Sequence, residues 1–280
     1  MKKTHKITTV FYHIFCIALS FVMLYPLLWL LSSSFKDSTD VFASSYSLIP
    51  QKWNFSNYAI GWEGFGGISF GVFFKNTLFL VIIQTIGAVI SAVMVAYGFA
   101  RIKFAGSKFL FGLMLVTMMI PYQIIMIPQF VMFHNFGWVN TYLPMILPAF
   151  TGRVFDVFLL VQFIKGIPYE MDEAAVIDGC NEFTKFTRII FPLIKPAIVT
   201  VFIFNFYLRW DDFMGPLIYL NSPEKYTISL ALRAFADSMS AVNWGAMFAM
   251  SFLSLLPVII IYLVAQDNIT EGIATTGLKA

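Results

Sequence analysis

The sequence predicts an all-α, polytopic membrane protein with six transmembrane helices and a short helical unit in the loop between spans four and five. Of 280 residues, 59% are hydrophobic and only 12% charged, against roughly 25% charged residues in an ordinary soluble domain. Apolar runs of about 20 residues, enough to cross the hydrocarbon core as a helix, recur along the whole chain. No polar stretch remains that could build a separate soluble domain.

The first run, 10–31, follows the basic MKKTHK. It exceeds the usual core of a secretory signal, about 7 to 15 residues, and no small-x-small cleavage site follows Leu31, so it reads as an uncleaved span. Five further spans are expected at 76–100, 109–133, 141–164, 197–220 and 244–265. The organisation is a short N-terminus at 1–9, a membrane domain at 10–265 containing a polar loop at 165–196, and a tail at 266–280. Placing the N-terminus inside puts eleven of the 18 basic residues on the cytoplasmic side, among them Lys2, Arg101, Lys165 and Arg188, and five outside. Arg153 and Arg209 fall within spans. The positive-inside rule therefore sets both termini and the loop in the cytoplasm.

Outside lie 32–75, with WNFSNY and the cluster GFGG, and 221–243. Their aromatic and turn-forming residues suit ordered surface better than linker. Pro26, Pro121, Pro128, Pro144, Pro148, Pro216 and Pro257 interrupt the spans. Each is compatible with ordinary helix irregularity, and together they fit a bundle built around a path, where freed carbonyls find partners.

Several function classes recede. A net charge of +3, spread over short loops, gives no stripe for nucleic acid. Cys16 and Cys180 occupy dissimilar settings and are expected as free thiols. His5, His13 and His134 lack metal-ligand spacing, and no nucleophile–base constellation stands out. No G-x-x-x-x-G-K-[ST] is present to cradle a nucleotide phosphate. No catalytic residue, metal or cofactor is expected in this chain.

The polar loop contains EAAVIDGCNEFTKFTRIIFPLIKP, from Glu173 to Pro196. A helix is expected from Tyr169 to Cys180, with Pro168 ahead of it and Glu170, Asp172 and Glu173 near its positive end. Met171, Ala174, Ala175 and Asp178 share a face of mostly small side chains. Gly179 supplies a left-handed stop, and a second short helix carries Phe183, Phe186 and Ile190 opposite Lys185 and Arg188. An interfacial helix would oppose bulky apolar residues to a basic face. Alanines and acids fit docking into a partner's groove better.

Glu173-Ala174-Ala175, Asp178-Gly179 and the downstream Ile189, Pro192, Leu193 and Pro196 resemble the EAA loop of bacterial ABC importer permeases. FLLVQF before the loop, WDDFMGPLIYL in the fifth span and EGIATTGLK near the C-terminus resemble the shorter, six-span subunit of the maltose-type carbohydrate importers, over essentially 10–279. Departures exist: Cys180 where alanine is usual, Phe191 for leucine, Val161 for an arginine, Asp211 for an asparagine, and added charges at Asp156 and Arg209. The resemblance implies a sugar or oligosaccharide permease of the bacterial cytoplasmic membrane working by alternating access. The loop would be a coupling helix, with Glu173, Ala174, Ala175, Asp178 and Gly179 meeting an ATPase, and Gly277 and Lys279 would also reach it. Implied partners are a homologous second permease subunit, two ATP-binding subunits that hold ATP and Mg, an extracytoplasmic sugar-binding protein and membrane lipid.

Arg153, Asp156, Arg209, Trp210, Asp211, Asp212 and Phe213 mark the expected substrate path, because charge inside a membrane is costly and usually faces a bundle interior or water. Arg153 and Asp156, three apart, could instead neutralise one another. Trp210 would stack on a sugar ring. The carboxylates and an arginine would bind hydroxyls or, for a uronate-bearing oligosaccharide, a carboxylate. An ion-coupled secondary transporter is the rival class, but inverted repeats are absent and the docking loop would be unexplained.

Overall fold

The computed structural model describes residues 2–238 and 243–277. Among them no strand forms, and Phe65 and Ile68 make one isolated bridge. The described residues form fifteen α-helices in order. The first four are α1 (Lys2–Ser33), α2 (Asp40–Ala43), α3 (Ser56–Glu63) and α4 (Phe70–Arg101). Next come α5 (Ser107–Thr117), α6 (Tyr122–Asn135), α7 (Leu143–Ile146) and α8 (Val154–Lys165). The loop and its sequel hold α9 (Glu170–Ile177), α10 (Glu182–Lys185), α11 (Phe191–Leu193) and α12 (Lys195–Trp210). The last are α13 (Met214–Tyr219), α14 (Ile228–Ser238) and α15 (Trp244–Gly277).

Among the described residues, four helical stretches are long and apolar enough to cross a membrane: Thr9–Ser33, Phe70–Arg101, Leu143–Lys165 and Trp244–Gln266. The expected third span is instead a bent pair, α5 with α6 at 96°. A second bent pair, Glu182–Leu193 with α12 at 73°, begins inside the polar loop, and the expected fifth span at 197–220 is divided between α12 and α13, so the number reaches six if each bent pair counts as one. Proline explains the bends. Pro121 cannot donate to the carbonyl of Thr117 and sits extended at φ −62°, ψ 136° between α5 and α6. Pro192 and Pro196 flank the second bend at Ile194, where a π-helical turn, Phe186–Ile190, precedes α11.

The chain divides into two compact units, Met1–Val72 with Ala231–Leu256 and Phe73–Leu230 with Pro257–Ala280. The first is organised by buried polar groups at the end of α1. Lys36 is 1% exposed, and its ammonium donates to the carbonyls of Ser44 (2.9 Å) and Ser47 (2.7 Å). Asn57 on α3 donates to the carbonyls of Ser34 and Lys36. These bonds satisfy main-chain carbonyls in the irregular segments that follow α1 and α2. Gly245 packs directly on this network.

Among the described residues of the second unit, apolar side chains gather in clusters. One joins Ala92, Ala96, Leu160, Ile164, Ile194 and Val201, so that α4, α8 and α12 share a core. Another joins Leu80, Phe133, Met145, Tyr219 and Leu230. Between α4 and the turn Leu147–Thr151, Gly87 leaves room for the ring of Phe150.

A Cβ on residue 245 would lie 2.5 Å from the Lys36 carbonyl oxygen, an atom that cannot swing aside. Gly245→Ala is expected to destabilise the protein by about 1–3 kcal/mol, seen as a lower thermal midpoint of the detergent-solubilised protein. The same change at Gly98, inside α4 with open space around it, should leave the midpoint equal or slightly raised.

Candidate functional site

In the loop, α9 ends as its sequence dictates. Gly179 adopts φ 77°, Cys180 N–H donates to the Ala175 carbonyl (2.9 Å), and Gly179 N–H donates to that of Val176 (3.0 Å). This is the Schellman arrangement, which a residue with Cβ would strain. Asn181 then caps α10 by accepting from Thr184 N–H (2.8 Å). The expected helix is shorter than 169–180, because the cap closes it at Ile177.

The small-residue face divides. Ala175 is buried with Asp172, whereas Glu173, Ala174, Asp178 and Gly179 are exposed. Ile177, 86% exposed, and Phe183 stand out beside them. The loop therefore presents an acid, an alanine and two bulky apolar side chains on one short rigid unit.

What fastens that unit is a buried ion pair. Arg101, the last residue of α4, lies 3.0 Å from the Asp172 carboxylate, with side chains 6% and 5% exposed. Its second nitrogen donates to the Ile167 carbonyl at 2.8 Å, and its plane faces the Tyr169 ring at 5.6 Å. A turn earlier on α4, the Tyr97 hydroxyl donates to the Glu182 carboxylate (2.9 Å), which also pairs with Lys185. Sequence reasoning missed all four residues as fasteners. The only signal was an arginine closing an apolar run and acids in the loop beyond a later span.

At the other site, an open cleft of about 670 Å³ is lined by residues of α4, α6, α8, α12 and α13 and of the turn before α8. Arg153, Arg209 and Asp212 line it, with Gln84, Gln129 and Tyr122. Arg209 donates to the side-chain carbonyls of Gln84 (2.8 Å) and Asn205 (3.3 Å). Asn205 in turn donates to Asp156 at 2.7 Å. A polar relay thus runs from α4 through α12 to α8. Asp156 is fully buried and takes Asn205, not Arg153, as its partner. The Arg153 guanidinium lies over the Phe155 ring at 5.8 Å.

The other candidates separate. α12 stops at Trp210, and the chain unwinds over 211–213 before α13. Pro216 again gives the cause: a continuous helix would need its missing N–H to reach the Asp212 carbonyl. Ser229 donates to that oxygen instead, at 2.7 Å, while the Asp212 carboxylate accepts from Gly215 N–H (3.1 Å). Trp210 is buried, stacked on Phe206 at 5.5 Å and 16°. Neither Trp210, Asp211 nor Phe213 lines the cleft. Gly277 ends α15, and Lys279 lies outside the described residues. Cys16 and Cys180 are free thiols.

Bent membrane helices around a polar cleft, with a rigid exposed loop tied to one of them, make the chain a transport subunit. It belongs to the family of binding-protein-dependent transport system inner membrane components, whose model matches residues 87–274. It is 33% identical over 271 residues to a probable ABC transporter permease protein of Bacillus subtilis, YurM, covering 96% of this chain and 87% of that one. It is 33% identical to the arabinooligosaccharides transport system permease protein AraQ of the same organism, with coverages of 95% and 94%. The diacetylchitobiose uptake system permease protein NgcG of Streptomyces coelicolor is 31% identical, with coverages of 94% and 86%. In fold, it is similar to a chain of a crystallised bacterial ABC transporter involved in the import of the acidic polysaccharide alginate, with TM-score 0.82, 22% identity, and coverages of 94% and 97%.

Breaking a buried ion pair from one side costs about 3–5 kcal/mol. Arg101→Ala and Asp172→Ala should each lower the thermal midpoint of the solubilised protein. The single changes Arg101→Asp and Asp172→Arg should cost at least as much, and combining these two should recover part of the loss; non-additivity in that cycle checks the contact.

Proposed function

We propose that the chain is the permease subunit of an ATP-driven importer for a sugar or oligosaccharide, and that its loop 165–196 couples it to the ATPase. A homologous permease subunit, two ATP-binding subunits and an extracytoplasmic binding protein complete the machine in this reading. ATP and Mg belong to the ATP-binding subunits, and this chain performs no catalysis. Both termini and the loop face the cytoplasm of a bacterial cell, as the distribution of Lys and Arg supports.

The observation that carries the proposal is the fastening of the exposed loop to α4. Glu173, Ala174 and Gly179 are free to meet a partner, while Asp172, one position away, is locked to Arg101. A push on α9 is then a push on α4. Gln84, on the same helix about 25 Å from Arg101 at ~1.5 Å per residue, holds Arg209 in the cleft. ATP-driven approach of the partner subunits moves the loop, α4 carries the displacement, and the relay at the cleft is rearranged. Alternating access follows, with the cleft facing the binding protein in one state and the cytoplasm in the other. The names of the relatives, which include arabinooligosaccharide and diacetylchitobiose systems, support a carbohydrate cargo. Gly277 and Lys279 are proposed as a further ATPase contact by the same family likeness.

One observation favours an acidic sugar among such cargoes. The cleft presents two guanidinium groups, Arg153 and Arg209, against one carboxylate, Asp212, which is engaged in capping α13. Planar guanidinium matches a carboxylate's two oxygens.

In the reconstituted transporter, Glu173→Lys should abolish most substrate-stimulated ATP hydrolysis while the subunits still assemble. Undiminished stimulation would overturn the coupling assignment. For the cargo, Arg209→Ala should reduce uptake of a labelled uronate-bearing oligosaccharide at least tenfold more than that of a neutral one, on the basis that a charge-assisted hydrogen bond is worth about 1.5–3 kcal/mol. Equal reduction of both would leave the neutral sugar as cargo.

A further inference from the structure

We propose that the turn between α4 and α5 forms a binding site for the headgroup of an anionic phospholipid. A second cavity, of about 660 Å³, opens there, apart from the cleft. Three lysines converge on it: Lys103 in the turn and Lys108 at the start of α5, joined by Lys165 from the end of α8. Among the described residues none of the three has an ion-pair partner, and no lining residue is acidic. Arg101, which also lines the cavity, is already committed to Asp172.

Lysines near helix ends commonly reach for the membrane surface one at a time. Here, however, they share a cavity, and the Lys165 ammonium lies 5.4 Å from the centroid of the Phe111 ring. Three uncompensated ammonium groups around one space favour an anionic oxygen ligand, such as a phosphate diester. Its source is set by the neighbouring surface. Phe109 is 73% exposed, and Leu110 and Leu113 on the same helix are also exposed. Those side chains offer acyl chains a continuous apolar bed, which a water-soluble phosphate ester would leave bare. Basic pockets between membrane helices recognise anionic headgroups by this combination.

The site stands independently of which solute is carried. Its position gives it a further role: the same cavity is bounded by Arg101 and Tyr169, so a bound headgroup would buttress the joint between α4 and the loop.

The test is native mass spectrometry of the assembled transporter, released from detergent and titrated with phosphatidylglycerol or phosphatidylcholine. The wild type should retain phosphatidylglycerol at least tenfold better. Lys165→Gln alone should weaken it about fivefold, and the triple variant Lys103→Gln, Lys108→Gln, Lys165→Gln should remove the preference. A photoreactive phosphatidylglycerol should label peptides within residues 99–113 of the wild type, which keeps the proposal testable should the triple variant fold poorly. Equal retention of the two lipids, or unchanged retention by a folded triple variant, would overturn it. Equal competition by glycerophosphoglycerol would reassign the cavity to a soluble phosphate ester. Labelling blocked by the ATP-binding subunits would reassign it to a protein contact.

Discussion

Inside hydrocarbon every main-chain polar group needs a partner within the protein, and proline withholds one. Much of this architecture follows from that constraint. Pro121 turns an expected straight span into a bent pair, and Pro192 and Pro196 flank the bend at Ile194. Pro216 leaves the Asp212 carbonyl for Ser229 and thereby stops α12 beside the cleft. The unwound residues 211–213 carry Asp212 into the cleft wall, where its carboxylate starts the next helix. Breaking a helix and shaping a polar site are here one event.

The second organising feature is long-range. A loop rich in water-seeking residues would be expected to hang from its flanking spans by flexible joints. Asp172 and Glu182 instead tie it to the end of α4, which is not its neighbour in sequence. With the left-handed Gly179 fixing the turn between its helices, the loop is a rigid extension of α4. The polar relay Gln84, Arg209, Asn205, Asp156 then connects α4 to two further helices at the cleft. Loop and cleft thus meet through a single helix.

Hydropathy made four spans readable directly, because a sum over twenty residues registers burial in lipid regardless of detail. It could not register the 96° and 73° bends, since composition is blind to backbone direction. The prolines were visible, but their cost is relieved only by partners such as Ser229 that are distant in sequence. At the cleft, Arg153, Arg209 and Asp212 were legible as charges where charge is expensive. Gln84 and Asn205 were not, being neutral amides within apolar helices. Trp210, expected beside these charges as a sugar platform, is buried and stacked on Phe206, outside the cleft lining. Gly179 was the clearest letter of all, because its conformation is a local property.

The first helix has a different relation to its surroundings. From residue 9 to 28 not one side chain is buried, although the apolar stretch Thr9–Ser33 runs for 25 residues. At about 1.5 Å per residue it is about 37 Å long, several ångströms more than a typical hydrocarbon core of about 30 Å. Such an overlong, uncovered rod adapts by leaning or by thickening the bilayer around it. Its inclination is therefore a property of membrane thickness and of whatever neighbour packs on it, and the same chain would seat itself differently in thick and thin membranes.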